Sequence, residues 1–440
     1  MQQTFHELAD ALVGAVRGDE VLLLNFSGED SDFARLNHSA IRQAGSVAQR
    51  YLSVELIDGR RHLTSTYTLS GEPEADRDRG RAMVAELRQK LPHLPEDPHL
   101  LYATDVQSGE STGENRLPDR AEAISAALAA GGGRDMVGLL AMGGIHAGFA
   151  NSLGQRNWFS AHTFDLSWSF YHAADKAVKT SYAGFEWDQA AFDRKVDAAA
   201  EQLEILRRPA KTIEPGEYRV YLAPAAMWEL LEMLCWGGFG LKAHRTKSTC
   251  LLRMVEDGAT LARSVTMREN TAGGMTANFG AKGFVKPDEV TLIEGGRFAN
   301  CLVSPRSAKE YGVEPNGACG GEWPESMDVA AGEVAAADVP GRLDTGIYVN
   351  QLWYLNFSDR PACRITGMTR FATFWVEGGR IVAPLNVMRF DETAYRVLGE
   401  NLIGLTAERD FIPSSQTYGS RTTESCRLPG ALVEGFRFTL

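Results

Sequence analysis

The side chains with the clearest chemical potential lie between residues 221 and 250, in the run YLAPAAMWELLEMLCWGGFGLKAHRTKSTC. This run predicts a buried strand, an apolar helix of about three turns, a glycine-rich break and a basic loop. A helix that ends in glycines beside cationic side chains could hold a metal ion or an anionic group, such as the C-terminus of a peptide. The candidate residues are Glu232 on the helix and His244, Arg245, Lys247 and Ser248 in the loop.

Each candidate also has a plain structural interpretation. The position of Glu232 favours a solvated or capping role over contact with a metal ion. Cys235 and Trp236, at the end of the same helix, are typical of a protein core. Cys426 has no histidine near it in the sequence, which favours a structural role over that of a nucleophile. The basic loop is equally consistent with a ligand-binding cluster and with a solvated surface.

Zinc sites of standard spacing are not visible in the sequence. The six cysteines lie far apart without a CxxC pair, and the nine histidines form neither HxH nor HxxxH. Scattered cysteines of this kind are typical of a reduced, cytoplasmic protein. Gly273, Gly274, Gly280 and Gly283 do not lie between a strand and a helix, so they do not predict a nucleotide site.

Composition argues against several classes of protein. Lys and Arg number 45 against 57 Asp and Glu, a formal net charge of -12, whereas nucleic-acid binding usually needs a basic face. No run of 18 apolar residues occurs, so no membrane span is predicted. The N-terminal run MQQTFHELADALVG lacks the basic start of a signal peptide. A chain of 440 residues, 44% of them hydrophobic, can form two domains.

Hydrophobic spacing predicts the elements that must position these residues. Apolar or alternating runs predict a strand at 21–26, a second strand from residue 33, and a hairpin that turns at Asp58-Gly59. Helices are predicted at 4–16, 81–91, 120–130 and 189–206.

We therefore predict an α+β protein of two domains. Residues 1–212 are expected to form a mixed α/β domain with a largely antiparallel sheet. Residues 213–440 are rich in glycine and in strand-forming runs, and we expect a strand-rich domain with a curved, barrel-like sheet. Within it, residues 316–340 are predicted to be a long loop.

Several short motifs occur in a fixed order along the chain. They are NSLG at 151–154, VTLIEGG at 290–296, GIYV at 346–349 and FWVEGGRIVAP at 374–384. In this order they resemble the motifs of the TldD/PmbA family, in which PmbA is also called TldE. The resemblance covers nearly the whole chain and is strongest after residue 215. The end of the chain, at 425–438, is similar to the PmbA type.

One departure from the family pattern bears directly on function. TldD-type members carry HExxxH on the helix described above, and the aligned block here is EMLCWG at 232–237. Both histidines are absent, and Glu232 stands where the first would be. Zinc needs about three protein ligands and an open position for water, which one carboxylate and one thiol do not supply.

The resemblance therefore implies the non-catalytic, TldE-like subunit of a TldD–TldE zinc metallopeptidase, with no catalytic residue of its own. A TldD-like partner with HExxxH would supply the zinc, so this chain is expected to bind no cofactor. Substrates of the family are unstructured polypeptides and leader peptides. By this resemblance Glu232, His244, Arg245, Lys247 and Ser248 become candidates for the wall of a peptide cavity.

Two other functions stay open at this point. The chain could be an independent hydrolase that acts as a homodimer through an unrecognised site. It could also be a non-enzymatic regulator of DNA gyrase, as an older description of the family implies, although the acidic charge makes direct DNA binding the least favoured function.

Overall fold

The computed structural model describes residues 1–173 and 176–439. Its strands form one sheet of seven strands and one of 13 strands, which are mostly antiparallel and covered by helices. This architecture confirms the predicted α+β fold class. The chain passes from the first sheet to the second between residues 184 and 216. The division at residues 212 and 213 stays a prediction.

The first sheet carries its helices on its faces. Its strands are β1 (Val21–Asn37), β2 (Ala40–Asp58), β3 (Arg61–Thr68), β4 (Gly109–Thr112), β5 (Asp135–Asn151), β6 (Arg156–Ala173) and β7 (Lys176–Gly184). They lie in the order β3-β2-β1-β5-β6-β4, and β7 pairs with β6. The helices of this half are α1 (Gln2–Val13), α2 (Pro73–Lys90), α3 (Arg120–Ala130) and α4 (Gln189–Leu206).

β1 is one continuous strand, so the predicted break between residues 26 and 33 is wrong. The polar run SGEDSD pairs with β2 on one side and with β5 on the other. Its side chains find partners across the sheet, because Arg50 lies 3.0 Å from Asp30. Neighbouring strands thus supply contacts that local composition does not show. The predicted hairpin is confirmed, since Asp58 pairs with Arg61 across the turn.

The second sheet is organised around its last strand. Its strands are β8 (Gly216–Leu222), β9 (Met267–Asn270), β10 (Glu289–Glu294), β11 (Arg297–Phe298), β12 (Ser326–Val329), β13 (Gly346–Val349), β14 (Leu352–Asp359), β15 (Arg364–Thr369), β16 (Thr373–Glu377), β17 (Arg380–Pro384), β18 (Arg389–Thr393), β19 (Leu402–Pro413) and β20 (Ser425–Phe438). β20 pairs with β8, β12, β18 and β19 along its length. A bulge at Gly435, whose φ is +61°, lets the strand change direction.

Pairing in this sheet branches instead of closing. The main path runs β11-β10-β9-β12-β20-β8-β13-β16-β17, and among the described residues it forms no closed barrel. The predicted long loop at 316–340 is wrong in part, because it contains β12. Shorter helices of this half are α5 (Pro224–Cys235), α6 (Leu241–Arg245), α7 (Leu252–Glu256), α8 (Pro305–Tyr311) and α9 (Val339–Leu343).

α5 begins and ends for local reasons and then packs on the second sheet. Pro224 occupies its first turn, where a missing N–H costs nothing. Gly237, with φ of +82°, ends it in a conformation that suits glycine. Met227, Leu231 and Leu234 are fully buried in the core shared with β8, β14 and β20. The predicted helix is therefore confirmed, and its apolar face fixes which side faces outward.

α4 joins the two sheets. Phe192 and Leu203 on this helix lie in the same buried cluster as Phe374 of β16. The first sheet is thus held against the second through a common core. Within residues 1–173 and 176–439, no helix has the length and apolar character needed to cross a membrane.

Candidate functional site

A cavity of about 1370 Å³ lies between the two sheets. One wall comes from β6, β7 and α4 of the first half. The opposite wall comes from α5, β13, β14 and β19, together with the segment 413–425 that connects β19 to β20. Its volume exceeds that of most small-molecule sites and suits a stretch of polypeptide.

Helical spacing places the polar and aromatic side chains of α5 on the cavity side. Trp228, Glu229 and Glu232 line the cavity, and Trp236 follows at the end of the helix. Residues three and four apart share one face of a helix, so these four form a stripe opposite the buried face. Trp236 keeps 65% of its surface exposed, although large aromatic side chains usually seek burial.

The acidic groups on α5 are held in an environment that disfavours their charge. Burial raises the pKa of Glu229, and the nearby charge of Glu232 raises it further. Burial also raises the pKa of Glu232, and Glu424 on the connecting segment adds to the effect. Glu424 is fixed by the indole N–H of Trp323, which donates to Oε1 at 3.0 Å. Glu232 therefore lies within electrostatic reach of both Glu229 and Glu424.

A further carboxylate faces the cavity from the first sheet. Asp165 on β6 lines it, and burial raises its pKa to about 7, against the opposing charges of Arg421 and Lys179. Lys195 on α4 lies 3.4 Å from Asp410 on β19, and this ion pair spans the two halves. The cavity is consequently more acidic than basic.

Arg360 fixes the end of α5. Its guanidinium group donates to the carbonyl oxygen of Trp236 and, at 2.9 Å, to that of Ser248. It also lies 4.9 Å from the ring centre of Phe357. Because its donors are engaged with backbone carbonyls, this cation positions the wall of the cavity.

The structure separates the five residues that the sequence singled out. Glu232 and Ser248 line the cavity, whereas His244, Arg245 and Lys247 lie outside its lining. The role of all five in peptide binding stays a prediction. The expected basic loop is in part a helix, since α6 contains His244 and Arg245.

His244 has a structural contact that explains its burial. Its Nε2 lies 2.6 Å from the carbonyl oxygen of Gly238, and its Nδ1 lies 3.6 Å from the sulfur of Cys301. Burial lowers the pKa of His244, so the neutral ring is favoured. Lys247 instead forms an exposed ion pair with Glu256 at 2.6 Å. These contacts direct both side chains away from the cavity.

The residues at the end of α5 do not fit a zinc ion. A Cβ atom on Gly237 would lie 2.9 Å from the guanidinium of Arg360, so a histidine there would meet a cation. Burial raises the pKa of the Cys235 thiol well above its ordinary value, which disfavours the thiolate that zinc requires. Across residues 1–173 and 176–439, no three His, Cys, Asp or Glu side chains converge on a potential metal position.

Sequence reasoning missed most of the cavity. Glu229 could have been found, because it lies three residues before Glu232 on the same helix. Asp165, Arg360 and Glu424 come from segments distant in sequence, and no local pattern marks them. The cysteines predicted to be structural are buried, as Cys235 and Cys426 show.

Comparison with known proteins gives the family. Residues 215–440 match the model of the PmbA/TldA metallopeptidase C-terminal domain. No curated protein sequence matches the chain significantly.

Solved structures share its fold over nearly the full length. TldE from Thermococcus kodakarensis is 14% identical, with a TM-score of 0.79, and the match covers 99% of this chain and 100% of that one. A protein from Thermotoga maritima described as a proposed modulator of a DNA gyrase is 15% identical, with a TM-score of 0.76 and the same coverage. One from Bacteroides thetaiotaomicron, also described as a proposed modulator of DNA gyrase, is 15% identical, with a TM-score of 0.77 and coverage of 99% and 98%.

Proposed function

The chain belongs to the PmbA/TldD family, and from this premise we propose that it is the non-catalytic, TldE-like subunit of a two-subunit peptidase. The observation that carries the proposal is the end of α5. The guanidinium of Arg360 lies where a histidine side chain would project from position 237, and the large cavity lies beside it. A partner with intact HExxxH would supply the zinc ion, which provides the activated water when bound. This chain would bind and orient the peptide.

The proposed binding mode is addition of the peptide to the free edge of β7. Within the described chain β7 pairs only with β6, so no strand is hydrogen-bonded to its other edge. The four consecutive residues 178–181 all line the cavity. Successive side chains of a strand point to opposite faces, so a cavity that meets four in a row meets the strand at its edge. Unpaired backbone groups there would hydrogen-bond to an extended peptide.

One contact already uses this edge. The side-chain amide of Asn350, at the end of β13, donates to the carbonyl oxygen of Lys179 at 3.0 Å. A peptide strand on this edge would therefore have to end at Asn350 or displace its side chain. Unstructured substrates fit this binding mode, because strand addition to β7 needs a peptide backbone that is not already hydrogen-bonded in a fold of its own.

The state of the cysteines bears on where the protein is located. The six cysteines are free, and four of them are buried. This suits a reducing compartment, so we propose a cytoplasmic location.

A net charge of -12 and an acidic cavity argue against nucleic acid as a direct ligand. The descriptions of two similar structures as gyrase modulators carry no activity over to this chain at 15% identity.

Co-expression tests the proposal. The chain and a TldD-like relative with HExxxH are expected to elute as one complex in gel filtration and to cleave an unstructured peptide together. Neither protein alone should reach that rate, and all zinc should follow the partner. Separate elution at micromolar concentration, or cleavage by this chain alone with its own bound metal, contradicts the proposal.

A further inference from the structure

Four of the five carboxylates that line the cavity lack the cationic partners that many carboxylates have elsewhere in the described chain. Within residues 1–173 and 176–439, Asp165, Glu229, Glu232 and Glu424 form no salt bridge. Three cations line the cavity: Lys195 pairs with Asp410, Arg360 binds two carbonyl oxygens, and the charge of Lys179 acts on both Asp165 and Glu229. Five carboxylates against three cations therefore leave an excess of negative charge at the cavity.

Asp165 gives this cluster an independent member on the opposite wall. It is half-buried, and its accessible surface lines the cavity. It makes no side-chain hydrogen bond with any of the residues described. A half-buried carboxylate without a donor is less stable than one in water, and a ligand that brings a donor would stabilise it.

Exposed aromatic rings lie beside the carboxylates. Trp323 donates its indole N–H to Glu424 and keeps 46% of its surface exposed. Trp236 is 65% exposed one turn beyond Glu232. Both rings line the same cavity. Aromatic faces next to carboxylates favour organic cations, which combine charge with an apolar stem.

We propose that the cavity selects peptides with a basic residue, whose ammonium or guanidinium group binds between Glu232 and Glu424 on one wall and Asp165 on the other. The inference rests on the proposed function for the occupant being a peptide. The stem of the lysine or arginine side chain lies against Trp236 and Trp323. Acidic segments are excluded by repulsion at the same wall.

A metal ion is a poorer fit to the same groups. Divalent cations need several carboxylates or histidines converging on one point, and within the described parts of the chain no three such groups do so. An organic cation needs no single point of convergence, because its donors spread over several ångströms.

Peptide binding to the isolated full-length chain tests the inference. Fluorescence anisotropy would compare labelled, unstructured peptides that differ at one position, with lysine, acetyl-lysine or glutamate. We expect the lysine peptide to bind roughly tenfold more tightly than the acetyl-lysine peptide, as for one charge-assisted contact, and the glutamate peptide to bind more weakly still. Adding NaCl should reduce the difference.

Two variants decide which residues are responsible. Glu232→Gln with Glu424→Gln keeps the size of both side chains and should bring the two affinities to within about twofold. Glu204→Gln, at the exposed end of α4 and outside the cavity lining, is the matched control and should leave the ratio unchanged. A melting curve of each variant confirms that it is folded.

Several results would overturn the inference. They are equal affinity for lysine and acetyl-lysine, an unchanged ratio in the double variant, and no measurable peptide binding. Displacement of the lysine peptide by MgCl₂ beyond that caused by NaCl of equal ionic strength would assign the carboxylates to a metal instead. Selective binding without a complex with the TldD-like relative overturns the proposed function alone, whereas a complex that cleaves both peptides equally overturns this inference alone.

Discussion

Two cavities lie between the halves of this protein, and they differ in how far their charged side chains form ion pairs. The smaller, of about 500 Å³, is lined by His62, Asp97, Lys282 and Arg306. Its charged groups pair with one another or with Glu55, which lies behind them. The Oε1 atom of Glu55 is 2.5 Å from Nζ of Lys282 and 2.7 Å from Nδ1 of His62. The larger, of about 1370 Å³, holds one such pair, Lys195 with Asp410, and four further carboxylates that form no salt bridge among the described residues.

Ionisation shows the same contrast. Burial alone would raise the pKa of Asp97, but hydrogen bonds from the backbone of His99 and from Arg306 and His62 outweigh it and hold that pKa at about 2. In the large cavity, burial raises the pKa of Glu229 and Glu232 with no cation strong enough to reverse it. Paired charges hold the halves together, whereas unpaired ones are available to a ligand.

Breaking a pair in the small cavity should give the largest effect. Glu55→Ala removes the partner of both His62 and Lys282, and Glu55 is almost fully buried. We expect a loss of about 3 kcal/mol in the free energy of unfolding, because two charge-assisted hydrogen bonds to a buried carboxylate are lost. Glu232→Ala in the large cavity should change it by less than about 1 kcal/mol. Denaturant unfolding of both variants would test this, and equal losses would contradict the contrast.

Replacing Arg360 tests how the wall of the large cavity is held in place. Arg360→Ala removes the contacts to the carbonyl oxygens of Trp236 and Ser248 that fix the end of α5. Loss of these charge-assisted hydrogen bonds should lower the free energy of unfolding by about 2 kcal/mol. Arg364→Ala, on the same hairpin and paired with Asp391, is the control and should cost less. If the two variants melt alike, Arg360 has no special role in the cavity wall.

Asp165 should give a smaller effect that depends on pH. Its pKa is raised to about 7 in the folded chain, from an ordinary value near 4. The folded state therefore binds more protons than the unfolded state between these values, so stability falls as pH rises through this window.

Asp165→Asn removes that dependence. The variant should melt about 1–3 °C higher than the parent at pH 8 and match it at pH 5. Lys179, Arg421 and Thr163 surround the site and are unchanged in both proteins. A variant that is destabilised at pH 8 would mean that the charge of Asp165 is needed to balance Arg421.

Local patterns predicted most of the longer helices well, although α2 begins at Pro73 and not at residue 81 as predicted. The predicted limits 120–130 and 189–206 are confirmed, because each helix has periodic apolar residues and an aspartate cap, Asp119 or Asp188, whose side chain accepts a backbone hydrogen bond. Strands were less predictable. The polar middle of β1 and the short strand β12 depend on partners far away in sequence.

The site was only partly predictable for the same reason. Glu232 lies on a helix with a clear pattern, and the sequence therefore placed it among the candidates. Asp165 and Glu424 reach the cavity through the pairing of β6 and the path of the segment before β20, which no local signal reports. The basic residues attracted attention by composition, yet tertiary contacts of His244 and Lys247 direct them elsewhere.

These basic residues supply the smallest expected effect. Arg245 and Lys247 are exposed and lie outside the cavity lining, and Lys247 has only the exposed Glu256 as a partner. Arg245→Ala with Lys247→Ala should therefore change the free energy of unfolding by less than about 0.5 kcal/mol and leave discrimination between lysine and acetyl-lysine peptides intact. The same anisotropy titration and a melting curve measure both. If every peptide binds more weakly while the melting curve is normal, these two cations contact the peptide, and the peptide-binding site extends beyond the cavity.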